Sequence, residues 1–319
     1  MWAVDPPVMP LDRIVGQKVI TAFAGTQPSR SLLHRIRAGH LGGVILFSEN
    51  VASPGQLRRL TRRIRVAAAA GGNPPPLIAV DQEGGLVKRL PWAPPAVPPS
   101  AMTAPRAAGE ATGRALRAVG ITVDFAPVAD VERRPNFLAS RAFGDNESEV
   151  AREACAFAQG LRSAGVTPTL KHFPGLGDAA GNTDLERVSI TMPLRLAPYR
   201  RCADRTTLVM LSSATYPRLG PRPAVFEPRA YALLDSDVVT VSDDLTARAM
   251  AGRRDVAVRA ARAGADLLLY GGSEATSGGA FRRVLRAVRQ GRLGELRVRA
   301  SVARILALKA GAPPASSNE

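Results

Sequence analysis

Short runs of consecutive apolar, often β-branched residues recur along the chain at 19–22, 43–47, 77–81, 122–125, 167–171, 208–212, 238–242 and 266–270. Runs of this length read as buried strands. Between them the pattern changes to the amphipathic period of helices, at 29–38, 54–69, 107–119, 147–164, 194–203, 228–234, 245–263 and 279–290, with a last helix at 295–310. Eight strand–helix alternations predict an α/β fold, a single (β/α)8 barrel of the TIM type. A doubly wound sheet is the alternative, but the Gly-rich dinucleotide fingerprint is missing after the first strand. The barrel is expected to occupy residues 1–311 as one domain, with a disordered polar tail at 312–319. The Pro-rich stretch at 91–99 reads as a stiff connection over the barrel mouth or as a plain surface spacer.

Three of the apolar runs end in ionisable residues. The run at 77–81 closes on Asp81, and that at 238–242 is followed by Asp243. The run ending at Leu170 leads into Lys171-His172-Phe173-Pro174-Gly175-Leu176-Gly177 and then Asn182-Thr183-Asp184. Barrel enzymes present their chemistry at the carboxyl ends of strands, so these endings mark an active site. Each also has a plainer reading. Ser242, Asp243 or Asp244 could cap a helix starting near Leu245, and Asp81 could brace a loop by pairing with Arg89. His172 could be a buried, hydrogen-bonded support, and Asp184 could cap the turn at Leu185-Glu186. Lys171 is costly to bury without an anionic or hydroxylic partner, which favours a place in the site.

Composition changes this picture little. The 319 residues carry 43 Lys and Arg against 27 Asp and Glu, a net charge of +16, and only four of the cations are lysines. The arginines spread along helix faces, such as Arg282, Arg283, Arg286 and Arg289, with little aromatic interleaving. They read as solvated faces, and no nucleic-acid partner is expected. No apolar run approaches a membrane span, so no membrane association is expected. The first fourteen residues lack the basic start and apolar core of a secretory signal, which predicts a cytoplasmic location. Cys155 and Cys202 sit in separate helical contexts, so a disulfide is not expected. His34, His40 and His172 are too scattered for a metal site. No metal or cofactor is expected.

Several further segments carry a family resemblance. Gly42-Gly43-Val44-Ile45-Leu46-Phe47, Asn50-Val51 and Gln56-Leu57 form one set. Ala79-Val80-Asp81-Gln82-Glu83-Gly84-Gly85, Asp124-Phe125-Ala126-Pro127-Val128-Ala129-Asp130 and Arg141-Ala142-Phe143-Gly144 follow. The Lys171 loop, Ser242-Asp243-Asp244-Leu245 and Arg304-Ile305-Leu306-Ala307-Leu308-Lys309 complete the series in order. Over nearly its whole length the chain resembles glycoside hydrolase family 3, in particular the single-domain β-N-acetylglucosaminidases of the peptidoglycan-recycling type. The resemblance implies a retaining hydrolase that removes terminal β-linked N-acetylglucosamine through a covalent glycosyl-aspartate. Asp243 is then the nucleophile, and Asp81, Arg141, Lys171 and His172 hold the sugar. The implied partner is a carbohydrate, a β-N-acetylglucosaminide or muropeptide-like glycoside.

The pattern departs from the family in the loop that carries its acid/base. The familiar sequence has histidine at position 176 and Asp-Ser-His at 182–184, whereas this chain has Leu176 and Asn182-Thr183-Asp184 at unchanged loop length. It resembles an actinobacterial variant of the loop. Leu86 stands where arginine is frequent, and Ser213 where histidine is common. Three readings follow. Asp184 serves as acid/base, positioned by Asn182 or Thr183, if burial near the negative Asp243 raises its pKa toward neutrality. Alternatively the protein is a catalytically impaired, sugar-binding relative. Or Asp184 only caps the turn. The first is preferred, with water as the acceptor, because an anionic Asp184 repels phosphate.

Overall fold

The computed structural model describes residues 9–133 and 136–311; the expected disordered tail lies outside them. Helix α1 (Leu11–Gln17) precedes β1 (Val19–Thr21), α2 (Arg30–Arg37), β2 (Gly43–Leu46), α3 (Pro54–Ala70) and β3 (Leu77–Val80). A hairpin of β4 (Gln82–Gly84) and β5 (Val87–Lys88) leaves the end of β3. The chain continues through α4 (Pro105–Ala118), β6 (Val123–Asp124), α5 (Glu147–Ser163), β7 (Thr167–Phe173), α6 (Ala197–Cys202) and β8 (Leu208–Leu211). It ends with α7 (Pro228–Tyr231), β9 (Val239–Ser242), α8 (Val256–Ala263), β10 (Leu268–Tyr270), α9 (Glu274–Arg289) and α10 (Glu295–Gly311).

Eight parallel strands lie in the order β10-β1-β2-β3-β6-β7-β8-β9. A parallel bridge between Val241 and Leu267 joins the two ends, so the sheet closes into the (β/α)8 barrel that the apolar periodicity predicts. Strand residues such as Val19, Ile20, Ile78, Val80, Val123 and Val241 are fully buried, because the ring of helices covers the outer face of the sheet. Helices α4 and α5 approach closely at Gly109, Gly113 and Gly160, where an added Cβ would meet the backbone or Ala164 of the neighbouring helix. Among the described residues no helix is long and apolar enough to cross a membrane.

Four expectations need correction. The helix expected at 245–263 begins only at Val256. Leu245 N–H donates to Leu269 O at 3.0 Å and Arg248 N–H to Asp184 O at 3.1 Å, so the amides of the expected first turns serve neighbouring elements. Gly252 and Asp255, both with positive φ, complete the break. Helix α9 starts at Glu274 rather than 279, because Ser273 caps the Thr276 amide. The α1 helix and the β4–β5 hairpin, too short for a periodic signal, escaped the reading.

The fourth correction concerns the cysteines. Cys155 on α5 and Cys202 on α6 are joined in a disulfide, with Cα atoms 5.2 Å apart. Their helices are far apart in sequence but pack side by side around β7, a proximity that spacing could not show. Closing a loop across 47 residues stabilises the fold by about 4 kcal/mol in the chain-entropy model, and about 2–4 kcal/mol is typical. Denaturant unfolding with and without a strong reductant is therefore expected to differ by about that amount, and Cys202→Ser should abolish the difference.

Candidate active site

The strand ends meet around a cleft of about 290 Å³ at the carboxyl end of the barrel, and every site residue expected from the sequence lines it: Asp81, Arg141, Lys171, His172, Asn182, Thr183, Asp184 and Asp243. Asp243 stands one residue past β9, where its N–H donates to Leu211 O on β8 at 3.0 Å. Its Oδ1 accepts the Asp244 amide at 2.9 Å. Neither Asp243 nor its neighbours cap a helix. Asp244 instead accepts the amides of Thr246, at 2.8 Å, and Gly271, at 2.9 Å, while Ser242 Oγ accepts that of Leu269. Asp243 is only 8% exposed, and burial raises its pKa to about 6. The cationic form of His172 would oppose that rise, and negative Asp184 adds to it.

The floor of the cleft is a charged cluster. Lys171, 3% exposed at the end of β7, donates to Asp81 Oδ1 at 2.8 Å and pairs with Glu83 Oε1 at 2.7 Å. Arg141 grips the same Glu83 with two nitrogens, Nε to Oε2 at 2.8 Å and Nη2 to Oε1 at 2.9 Å. Burial alone would raise the Glu83 carboxyl, but the Lys171 and Arg141 charges outweigh it and hold the group at about 2. Lys171 is displaced upward for the complementary reason: burial disfavours its charge, and the Asp81 and Glu83 carboxylates overcome that. Arg89 lies 3.7 Å from Asp81, so the bracing pair expected for Asp81 is present beside the Lys171 contact.

His172, linked to Lys171 by a cis peptide bond, is held from behind. The 126–130 segment runs beside β7, with Ala129 N–H donating to Lys171 O at 2.7 Å, and so brings Asp130 under the imidazole. Asp130 Oδ2 bonds His172 Nδ1 at 2.8 Å. Asp130 Oδ1 accepts the amides of His172 and Leu176 and the Tyr199 hydroxyl. Burial would raise Asp130, yet His172 and these donors bring it below the usual carboxylate range. His172 therefore has the supporting bonds of a braced residue while still facing the cleft.

The loop bearing Asp184 takes its shape from Asn182. The Asn182 side chain accepts the Asp184 amide at 2.9 Å, and its carbonyl accepts the amides of Leu185 and Glu186, both at 3.0 Å. Turn capping thus falls to Asn182. Thr183 is buried, whereas Asp184 is exposed, and its carboxylate has no hydrogen bond or ion pair among the described residues.

Four contributors escaped the sequence reading as site residues: Gln82, Glu83, Arg89 and Asp130. Gln82 receives the amides of Arg89 and Leu90 and donates to Leu90, Ala93 and Pro94 carbonyls. It thereby folds the 91–99 stretch against the hairpin at the mouth. Arg89 lines the cleft, and its Nε is buried without a partner. All four lie in or beside the segments quoted above, so the signal was the rarity of so many polar residues beside buried strands.

A closed parallel barrel with its ionisable side chains gathered in one small cleft at the strand ends defines a class, that of barrel enzymes. Within that class the chain belongs to glycosyl hydrolase family 3, a family of glycosidases: the model of the glycosyl hydrolase family 3 N terminal domain matches residues 11–308. An uncharacterized secreted glycosyl hydrolase of Arthroderma benhamiae is 33% identical over 96% of this chain and 96% of its own length. A beta-hexosaminidase of Xanthomonas euvesicatoria pv. vesicatoria is 33% identical over 66% of this chain and 68% of its own. Among solved structures, a glycoside hydrolase family 3 beta-N-acetylglucosaminidase from Paenibacillus sp. str. FPU-7 superposes with a TM-score of 0.92 at 32% identity. That match covers 98% of this chain and 65% of the Paenibacillus chain.

The opposed carboxylates predict stability changes of opposite sign at pH 7.5. Glu83→Gln leaves two buried cations short of charge and should destabilise by about 3 kcal/mol. A carboxyl whose folded pKa lies above its unfolded one loses stability as pH rises through that window, here from 3.8 to about 6. Asp243→Asn should therefore stabilise, by up to about 3 kcal/mol. Thermal midpoints that fall for both variants would contradict the electrostatic account.

Proposed function

We propose that this protein is a retaining β-N-acetylglucosaminidase in which Asp243 attacks the anomeric carbon and Asp184 moves the proton. The observation that carries the reading is the joint placement of Asp243 and Asp184 in one cleft, the first held rigidly and buried, the second free of any competing bond. Retention needs a carboxylate nucleophile and a second group that first protonates the leaving oxygen and then deprotonates water. A cleft of about 290 Å³ is at the small end of ligand pockets, roughly 300–1,000 Å³, and suits one sugar ring. Asp81, Arg141, Lys171 and His172 present fixed donors and acceptors to its hydroxyls. The preference for a 2-acetamido group is supported by the described activities of the Xanthomonas and Paenibacillus relatives.

The same charges set the pH dependence. Asp243 must be ionised to attack, so kcat/KM should rise with pH through an acid limb near 6. Replacing Asp184 by Asn removes the negative charge that helps hold Asp243 up, so the acid limb should move to lower pH on a dinitrophenyl β-glycoside, which needs no proton from the enzyme. On an alkyl β-glycoside the same variant should lose about 10²–10⁴-fold in kcat/KM, the usual scale of general-acid catalysis. Equal losses on both substrates would remove Asp184 from proton transfer. A 2-fluoro glycosyl trap should label the peptide containing Asp243; a label elsewhere, or sugar binding without any turnover, would overturn the assignment.

The Cys155–Cys202 bond also bears on location. Disulfides persist in oxidising compartments and are rare in a reducing cytoplasm. This supports an extracytoplasmic site of action, in line with the secreted description of the Arthroderma relative.

A further inference from the structure

The net charge is far from evenly distributed. Helices α9, α2 and α3 are consecutive in the outer ring: Ser29, at the start of α2, donates to Glu274 of α9 at 3.0 Å, and α3 packs on the other side of α2. Together they hold twelve arginines: Arg282, Arg283, Arg286 and Arg289 on α9; Arg30, Arg35 and Arg37 on α2; and Arg58, Arg59, Arg62, Arg63 and Arg65 on α3. Their only acid is Glu274, so these three helices carry eleven of the chain's sixteen net positive charges. Among the described residues none of the twelve makes an ion pair within 4.0 Å, and all but Arg35 and Arg65 are exposed. Elsewhere acids are interspersed and several arginines are matched: Arg114 by Glu110, Arg152 by Glu149 and Glu153, Arg162 by Asp204, Arg299 by Glu295 and Arg304 by Asp266. Between α2 and α3 runs a groove of about 610 Å³, walled by Arg37, Arg62, Arg63 and His34 over Leu33 and Val66.

We propose that this belt docks a flexible phosphodiester polymer without bases. So many like charges held close together repel one another, and a polyanion relieves that by displacing its own counterions. The cations are all arginines, whose planar fork pairs bidentately with phosphate oxygens. Nucleic acid fits less well, since single strands are held by stacking on aromatic side chains and the three helices expose none. A lipid surface fits less well too: three helices of an eight-unit ring follow an arc that a flat bilayer cannot touch along its whole length, whereas a flexible chain can. The belt lies on the side of the barrel, away from the cleft at the strand ends, so docking leaves the glycosidase site open.

The probe is fluorescently labelled poly(glycerol phosphate), titrated with the full-length protein by anisotropy between about 50 and 200 mM salt. Substituting Arg37, Arg62, Arg63 and Arg283 by Gln should weaken binding at least tenfold and flatten the log K against log salt slope by about 3, given roughly 0.7–0.9 per phosphate contact. A control set, Gln at Arg106, Arg200, Arg201 and Arg205, should lose less than about twofold, as charge removed off the belt touches only the long-range field. Both variants should keep wild-type aryl-glycosidase kcat/KM, which also reports that they fold. Absence of binding at the lowest salt, or equal losses in the two variants, would sink the proposal. Tighter binding per negative charge to acidic vesicles, double-stranded DNA or a polycarboxylate would reassign the belt to that partner.

Discussion

A cation buried at a barrel strand end has to be paired, and the site is organised around the pairing of Lys171. Its ammonium is 3% exposed and lies between Asp81 and Glu83, at 2.8 and 2.7 Å. Removing such a group from water costs several kcal/mol unless charge and hydrogen bonds are supplied in place. Glu83 supplies them and in turn draws in Arg141, so one buried carboxylate joins β7, the hairpin after β3 and the 141 turn. Gln82, next in the chain, folds the proline stretch against that hairpin through its five hydrogen bonds. The polar floor is therefore fixed by the protein itself, before any ligand enters.

Burial acts on Glu83 and Asp243 with opposite outcomes, and the partners decide which. Both are withdrawn from water, which by itself raises a carboxyl pKa. Glu83 faces two cations and falls to about 2; Asp243 faces a histidine, two acids and one amide, and rises to about 6. The first is a satisfied structural ion. The second is an anion short of partners, the condition in which a carboxylate gains most from bonding to an electron-poor carbon. A fold that supplied Asp243 with an arginine would be more stable and would leave its carboxylate less ready for the attack proposed for it.

What could be read from the chain beforehand tracks how local the determining physics is. Alternating apolar runs and amphipathic stretches located all eight barrel strands, because burial on both faces leaves a continuous apolar signature. The strand-end residues were readable for a related reason: Asp81, Lys171 and Asp243 are charges immediately after residues that must be buried. Partnerships across the barrel were not readable. Glu83 and Asp130 gain their roles from Lys171 and His172, which are distant in sequence, and Cys155 meets Cys202 only because α5 and α6 share a strand. The arginine belt has the same origin. Along the chain its members look like ordinary solvated faces, and only the ring order, which returns α9 to the side of α2, shows that twelve arginines share a single acid, Glu274.

The broken helix after β9 and the altered loop at 182–184 belong to one arrangement. The 245–255 segment keeps only a short 3-10 turn in place of α-helical hydrogen bonds, and Arg248 gives its amide to Asp184 O at 3.1 Å while Ala251 O takes Arg187 Nη2 at 2.7 Å. These two bonds attach the Asp184 loop to the chain that carries Asp243, fixing the loop base against the strand end from which Asp243 projects. Asn182 then shapes the turn, so neither task falls to the Asp184 side chain. An aspartate reaches less far than the histidine that the family resemblance implies for this loop, and a shorter side chain can act only from a base that is already close. A loop held from both sides meets that requirement. It also accounts for a side chain in the same cleft as a buried acid being left without a partner: the structural work of the loop is done by its backbone and by Asn182, which leaves the carboxylate available for the proton transfer proposed for it.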